Sequence, residues 1–542
     1  MNKMKTMNKY TVLVLLFVGY FSYSCTDTYD EHYDNSGASL PEKTLKELIA
    51  ENDKLSTFSK LIEIAAYDSL LSSSQVFTIW APLNDALSGV RLESIDKEQA
   101  QLIVGNHFAR FNNSTATPDN KLIRMRNNKT FFFSEGASVF GGAKIAQKDI
   151  LAKNGVLHIL ESQIPYFPNL YEYIKTNPNT SKLAEFLRSF DEEIFDESLS
   201  IPIDVTDGGK VVYDTVTTFY NRLFDANYFY GMLDLGLGHI YMEDSLFTMI
   251  VPTNEAWDAA YARIAPYYEA TGEQEYKDSI QKMQTSLAIL EDLIYRGKIE
   301  SPASRDSLIS TSPSIIYNTA ELFFGTEKIQ ASNGLIFQAN ELHYDNTYTW
   351  NKPLYVESNY SDGRTLGANT SITPRVVDDS FDFFVSGYSY LYVDGSTPSA
   401  QPGVTFDIPN VLSGAYDIYV EFLPLYLDPQ GAVGEKTKLL FELTYTGLTG
   451  RPVSVMVNTT DLITKDTEPT RLKVFSNFKF PVSNYYDRLW MIDYYDGVRE
   501  LADWRVTTKL LVKTNVSNTE LNNNIYTRKF CIDRIIFEPI HE

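Results

Sequence analysis

The chain has 542 residues, 44% of them hydrophobic, and a formal net charge of −23. At about 150 residues per domain this length suggests roughly three or four packed domains. The acidic balance excludes nucleic acid as a partner, because phosphate binding needs clustered Lys and Arg.

Residues 1–24 read as a targeting segment. Lys3, Lys5 and Lys9 form a basic start. Thr11 to Phe21 is an apolar core of signal-peptide length, too short to span a bilayer comfortably. Small residues Ser22 and Ser24 then precede Cys25, and Phe21-Ser-Tyr-Ser-Cys25 resembles a bacterial lipobox. The alternative is a plain cleaved signal with an incidental cysteine. The lipobox resemblance implies that Cys25 becomes the first mature residue and carries acyl chains; several chains anchor stably where one binds only marginally. Residues 25–41 are polar, acidic and turn-rich, the composition of a tether. Their acids Asp27, Asp30, Glu31 and Asp34 resemble, in dispersed form, the surface-export signal of Bacteroidetes lipoproteins; the alternative is a solvated linker. Together these resemblances imply a lipid-anchored outer-membrane protein facing the cell exterior. The chain has only two cysteines. With Cys25 acylated no internal disulfide is possible, and Cys531, in a strand-like run, reads as a buried inert thiol.

The first folded domain spans 42–166. Leu45, Leu48 and Ile49, then Phe58, Leu61 and Ile62, recur at helical spacing. Phe77-Thr-Ile-Trp-Ala-Pro-Leu-Asn-Asp-Ala-Leu87 follows. Its apolar, β-branched run reads as a buried strand ended by Pro82, which has no N–H to donate. Asn84 stands where a helix N-cap belongs and Asp85 in the first turn. The same pattern returns in Phe247-Thr-Met-Ile-Val-Pro-Thr-Asn-Glu-Ala-Trp257, with Asn254 and Glu255. Each copy is followed, about 80 residues on, by a second shared motif: Asn154-Gly-Val-Leu-His-Ile-Leu160 and Asn333-Gly-Leu-Ile-Phe-Gln-Ala339, a tight-turn signal leading into a strand. These two boxes resemble those of the fasciclin domain family. The resemblance covers residues from about 42 to 345 and implies two fasciclin-like mixed α/β domains with a role in adhesion or protein–protein contact. His107 falls between the boxes, in the region linked to adhesion in animal relatives. A histidine on an apolar stretch reads, by itself, as a satisfied core residue.

Ile164-Pro-Tyr-Phe-Pro168 marks a joint, and the second domain spans 167–345. Leu170-Tyr-Glu-Tyr-Ile174 opens it, followed by Leu183, Phe186 and Leu187 at helical spacing. An extra segment, Ile203 to Tyr213, carries a hairpin turn at Asp207-Gly208 or Gly208-Gly209. Ala259 to Ile299 reads as a helical excursion with a surface loop.

From 346 to 542 the period becomes strand-like. The runs are Val404–Ile408, Ala415–Phe422, Lys438–Tyr445, Val453–Val457, Arg471–Phe480, Arg505–Val512 and Phe530–Phe537, an all-β, jelly-roll-like sandwich. Ser413 to Val420 and Ile532 to Pro539 resemble galactose-binding-type sandwiches and the carbohydrate-binding modules built on them. The fold class is therefore α+β multidomain: two mixed domains, then a sandwich. Aromatic residues make up 13% of the chain, with 36 tyrosines, and their clusters are the candidate glycan sites. Tyr388, Tyr390 and Tyr392 would project to one side of a strand. Tyr485, Tyr486, Trp490, Asp493, Tyr494 and Tyr495 concentrate rings and carboxylates in an expected loop. Rings stack on sugar C–H faces and acids bind hydroxyls; the competing reading is core or cross-strand packing. Six histidines without paired-ligand spacing, no Gly-x-Ser-x-Gly and no phosphate-cradling loop argue against an enzyme. Asp493 and Asp496 have glycosidase-like identity, but acids three apart more often ligate Ca²⁺ or face water. No cofactor is expected beyond a structural Ca²⁺ in the sandwich. The expected partners are the membrane through the lipid anchor, a polysaccharide or oligosaccharide, and a SusC/SusD-like outer-membrane transporter.

Overall fold

The computed structural model describes residues 41–71, 75–118, 120–195, 201–205, 209, 211–214, 217–226, 229–230, 233–377, 383–485, 488–500 and 506–541. The targeting segment with Cys25, most of the tether, Asp207-Gly208 and Tyr486 lie outside them. The chain divides into two compact units, residues 1–166 and 167–542.

In the first unit, helices α1 (Leu45–Ala50) and α2 (Ser56–Ile64) precede strand β1 (Phe77–Pro82). Strands β2 (Phe108–Arg110), β3 (Ala143–Ala152) and β4 (Gly155–Leu160) complete the main sheet in the order β2-β1-β4-β3, with two short strands beyond β3. β1 lies parallel to β4 and antiparallel to β2. It is buried on both faces: Ile79 and Ala81 face the helices, while Trp80 faces Phe133 and Phe140. That two-sided burial is why its sequence is a continuous apolar run rather than an alternating one.

The second unit begins with α3 (Leu170–Thr176) and α4 (Ser181–Arg188), then β5 (Phe247–Pro252), α5 (Asn254–Ile264) and α6 (Gln274–Leu290). β6 (Ile294–Arg296), β7 (Glu327–Ala331) and β8 (Gly334–Ala339) follow. The order β6-β5-β8-β7 repeats that of the first sheet, and so does the register: Phe77 pairs with Gly155 and Phe247 with Gly334. Both glycines sit at positive φ, 146° and 148°. A Cβ on either would lie 1.8 Å from the carbonyl oxygen of the phenylalanine opposite, so close backbone approach dictates glycine.

Side-chain clamps recur as well. Asn154 Oδ1 accepts Leu45 N–H and Asn333 Oδ1 accepts Leu170 N–H, each at 2.9 Å. The boxes' other asparagines correct the N-cap expectation. α5 is capped by Thr253, and Leu83 holds the corresponding place before the short turn Asn84–Leu87. Asn84 Oδ1 instead accepts Thr57 N–H, and Asn254 Oδ1 accepts Lys182 N–H, both at 3.0 Å. Each amide thus satisfies the start of a different helix, α2 or α4, where free N–H groups need a partner.

The C-terminal region forms two antiparallel sheets around one core. Its strands are β9 (Leu354–Glu357), β10 (Arg364–Leu366), β11 (Thr370–Val376), β12 (Ser389–Gly395), β13 (Gly403–Asp407), β14 (Gly414–Leu423), β15 (Leu439–Thr446), β16 (Pro452–Val457), β17 (Thr470–Phe480), β18 (Lys509–Thr514) and β19 (Phe530–Pro539). One sheet runs β11-β12-β19-β14-β17, with β9 also on β19; the other runs β10-β13-β18-β15-β16. The region is not purely β. Helix α7 (Arg488–Tyr495) interrupts it between β17 and β18.

Candidate functional site

The expected aromatic loop is helix α7, and most of its rings are not available to a ligand. Leu489, Trp490, Met491 and Ile492 join the core of residues 170–344, with Tyr485 and Tyr494 packed against it. Trp490 is 9% exposed and lies parallel to Tyr494, one turn on, at 5.8 Å. Arg488 is buried and reaches Glu291 (3.1 Å), Leu235 O (2.6 Å) and Ser312 Oγ (2.9 Å). Asp493 binds Arg222 at 2.5 Å and Arg499 at 3.1 Å, and Asp496 lies 3.5 Å from Arg222. A helix forms here because apolar residues 489–492 meet an apolar wall, whereas a loop would leave their backbone groups unpaired in that wall. Among the described rings of this cluster, Tyr495 alone is exposed. Among the described residues no group of three or more His, Cys, Asp or Glu is placed to hold a metal ion.

The three strand tyrosines separate too. Tyr390 and Tyr392 are buried with Cys531 under Leu423 and Leu425, and Tyr390 OH donates to Asp428 at 3.2 Å. Burial pushes the Cys531 thiol well above its ordinary pKa, the inert state read from the sequence. Tyr388 lies outside β12, in a turn at φ 54°, and is exposed.

An exposed aromatic and charged strip lies elsewhere, on the outer face of the β19–β14–β17 sheet. Strand alternation sends Ile418, Val420 and Phe422 inward, and Asp417, Tyr419 and Glu421 outward. Cross-strand pairing then sets Glu357, Arg534, Glu421 and Arg471 in one row across four strands. Arg534 Nε donates to Glu421 at 2.7 Å. Its guanidinium lies 5.2 Å from the Tyr355 ring and 5.6 Å from the Phe384 ring. Those rings are 54% and 77% exposed. One row along, Arg471 sits 4.1 Å over Tyr419, Lys473 binds Asp417 at 2.6 Å, and Arg471 also pairs with Glu538. The hydrogen bond from Lys473, helped by Asn477 N–H, holds the Asp417 carboxyl below its ordinary pKa.

The strip is anchored from beneath. Asp533, buried, accepts Ser386 N–H at 3.0 Å, and Glu357 accepts Ser386 Oγ at 2.6 Å. Burial, with Glu357 nearby, pushes the Asp533 carboxyl up to about 7. At its far end the strip meets a cleft of about 400 Å³ lined by Tyr267, Glu269, Ala415, Lys479 and Ile540. From Glu421 to Ala415 the distance is about 20 Å at 3.4 Å per residue. Alternating guanidinium, ammonium and carboxylate groups, with the exposed Tyr355 and Phe384 rings at one end and half-buried Tyr419 and Tyr267 further along, suit a neutral polyhydroxylated ligand: donors and acceptors for hydroxyls, and apolar edges for C–H faces. Sequence reading missed it because Tyr355, Phe384, Tyr419 and Arg534 lie far apart in the chain. The alternation Asp417-Ile-Tyr-Val-Glu421 was the one available signal.

The fasciclin domain family model matches residues 53–165. Stabilin-1 of Mus musculus is 27% identical over 135 residues, and Stabilin-1 of Homo sapiens 25% identical over 136. In each case the match covers 22% of this chain and 5% of the relative, so it spans only a small part of the relatives' length. Among solved structures, a FAS1 domain pair from the insect cell adhesion molecule Fasciclin I is 15% identical and is aligned over 55% of this chain and 99% of its own, with a TM-score of 0.20. A Paenibacillus xanthan lyase is also 15% identical, over 39% of this chain and 15% of its own, with a TM-score of 0.22. At these TM-scores neither structure bears on the chemistry of this chain.

Proposed function

We propose that this chain is a non-catalytic binding protein of the cell envelope that holds a neutral glycan on the outer face of its C-terminal sandwich. The observation that carries this reading is the outer-face strip from the exposed Phe384 and Tyr355, past Arg534, Glu421 and half-buried Tyr419, to the Tyr267 cleft. Its charges alternate and nearly cancel, which favours hydroxyl groups over phosphate or sulfate. Affinity electrophoresis through neutral and anionic polysaccharides tests it. Retardation by a neutral glycan is expected, and Tyr355→Ala with Phe384→Ala should abolish it without changing the melting curve. No retardation by any glycan, or retardation only by anionic ones, removes the reading.

The rest of the proposal rests on sequence resemblance and repeated geometry. Residues 167–345 are a second fasciclin domain, supported by the common strand order, the Gly155 and Gly334 contacts and the asparagine clamps. Cys25 carries the lipid anchor, and the chain serves as an exterior accessory of a SusC/SusD-type transporter. Metabolic labelling with a fatty acid, lost in Cys25→Ala, tests the anchor. A second function, adhesion through a protein partner, is favoured by the fasciclin match at 53–165 and by Phe111. That ring is 75% exposed on a residue held at φ 67°. The matching position in the second mixed domain is Gly297, with the same bonds: Thr78 Oγ1 donates to Phe111 O and Thr248 Oγ1 to Gly297 O, each at 2.8 Å.

A further inference from the structure

Sheet edges with unpaired outer N–H and C=O groups are usually blunted or covered, and the edges of β2 and β6 are partly covered, by Met125 and Arg126 and by Ser310 and Thr311. In the mixed domains, β2 and β6 have three residues each and end in Arg110 and Arg296; β7 carries Glu327 and Lys328. In the sandwich, β10 has three residues, β9 ends in Glu357 and β11 contains Pro374 and Arg375. β17 carries Arg471, Lys473 and Lys479 and has irregular register. β16 is different. Among the described residues it pairs with β15 alone; it has six residues and carries no charge, and its Pro452 stands only at its start. Val453, Val455 and Met456 are all exposed.

The valines lie on the core side of the sheet, opposite Tyr445, Leu443 and Phe441. Leu443 and Phe441 are fully buried, yet Val455 beside them is 36% exposed. The sandwich core therefore stands open along this edge.

We propose that the outer edge of β16 pairs antiparallel with the same edge of a second copy of this chain, joining two five-stranded sheets into one. Three observations select a second copy as the occupant. A two-fold axis perpendicular to the sheet keeps each face with its like, so pairing centred on Val455 sets Val453 against Val457 and continues the valine row across the junction. Residues 452–460 carry no charge in a chain of net charge −23, so the strands meet without like-charge contact. Beyond the strand ends, Arg451 of one copy and the turn at Thr460-Asp461 of the other bring opposite charges to the same end of the junction. A six-residue edge is smaller than a standard interface of about 1,600 Å², so the dimer is weak and reversible, with a Kd in roughly the micromolar range. This inference is independent of the glycan reading.

Sedimentation equilibrium of the full chain tests it. A monomer–dimer equilibrium is expected, and Val455→Lys should raise the Kd by about tenfold or more. A wild-type chain that stays monomeric overturns the proposal, even if its edge takes up an added strand peptide. So does a Val455→Lys chain that dimerises as well as wild type. If Val455→Lys alters the circular dichroism spectrum, Val455→Cys decides. Under mild oxidation it should cross-link to a dimer well beyond the wild-type background and beyond Ser454→Cys, whose residue faces Met456 in this register. Absence of that excess overturns the pairing.

Discussion

Gly155 and Gly334 show how a single atom constrains each mixed domain. A methyl group at either would collide with a backbone carbonyl, and the positive φ excludes it again. Gly155→Ala or Gly334→Ala should cost about 3 kcal/mol or more by urea denaturation; a loss below about 1 kcal/mol would show that β1 or β5 shifts to make room. His107 gives a pH signature. Its Nδ1–H donates to Ile103 O at 2.9 Å and its Nε2 accepts Ile164 N–H at 3.0 Å, so the buried ring is neutral. Burial pushes its pKa down to about 4, against the opposing bond to Ile103. The unfolded chain binds this proton near pH 6.5 and the folded chain only near 4. The stabilisation is therefore complete above the unfolded value and is lost as pH falls between the two, by roughly 3 kcal/mol. Burial lowers the His158 pKa too. His107→Asn should be less stable at pH 7 but lose less between pH 7 and 4.5, and equal losses in both proteins would rule the account out. The satisfied-core reading of His107 was legible in sequence because apolar neighbours surround it. The Asn84 and Asn254 clamps were not, since each amide bonds a helix that packs nearby but is remote in the chain.

At the element scale, α7 decides most. Its sequence, rich in Tyr, Trp and Asp, reads as a ligand loop, yet tertiary contact makes it a peg from the sandwich into the neighbouring domain. Trp490→Ala should cost about 3–5 kcal/mol. Arg488→Ala leaves Glu291 without its buried partner and should cost about 3 kcal/mol or more. Both should split the thermal unfolding of residues 167–542 into two transitions; one sharp transition in both variants would mean the peg contributes little to coupling. Strands appear at all seven expected sandwich positions, with ends shifted by a few residues; Arg505, where one expected run begins, lies outside the described residues. β9 and β10 were missed because they are short, and β11 because its residues, with Pro374 among them, lack clean alternation. β1 and β5 were legible for the opposite reason: burial on both faces writes itself as an unbroken apolar run.

Across the whole molecule, the core of residues 170–344 takes in Leu412 and Leu489 to Ile492 from the C-terminal region, which otherwise keeps its own core, so the second mixed domain does not stand on its own sequence. A chain ending at residue 345 loses Leu412 and the apolar face of α7; it should be aggregated or proteolysed quickly, whereas residues 42–166, with cores of their own, should unfold cooperatively alone. Equal protease resistance of the two fragments would refute this. The amino-acid sequence by itself determined the local patterns: the duplicated strand–proline boxes, followed by a helix in the second copy and only a short turn in the first, the Asn-Gly turns, the alternation of the C-terminal strands and the inert Cys531. Each depends on neighbours within a few residues, whose spacing sets which side is wet. Only the tertiary structure decided which rings face solvent. Strands distant in sequence carry Tyr355, Phe384, Tyr419 and Arg534 to one outer face, while the apolar wall of the adjoining domain draws Trp490 out of water.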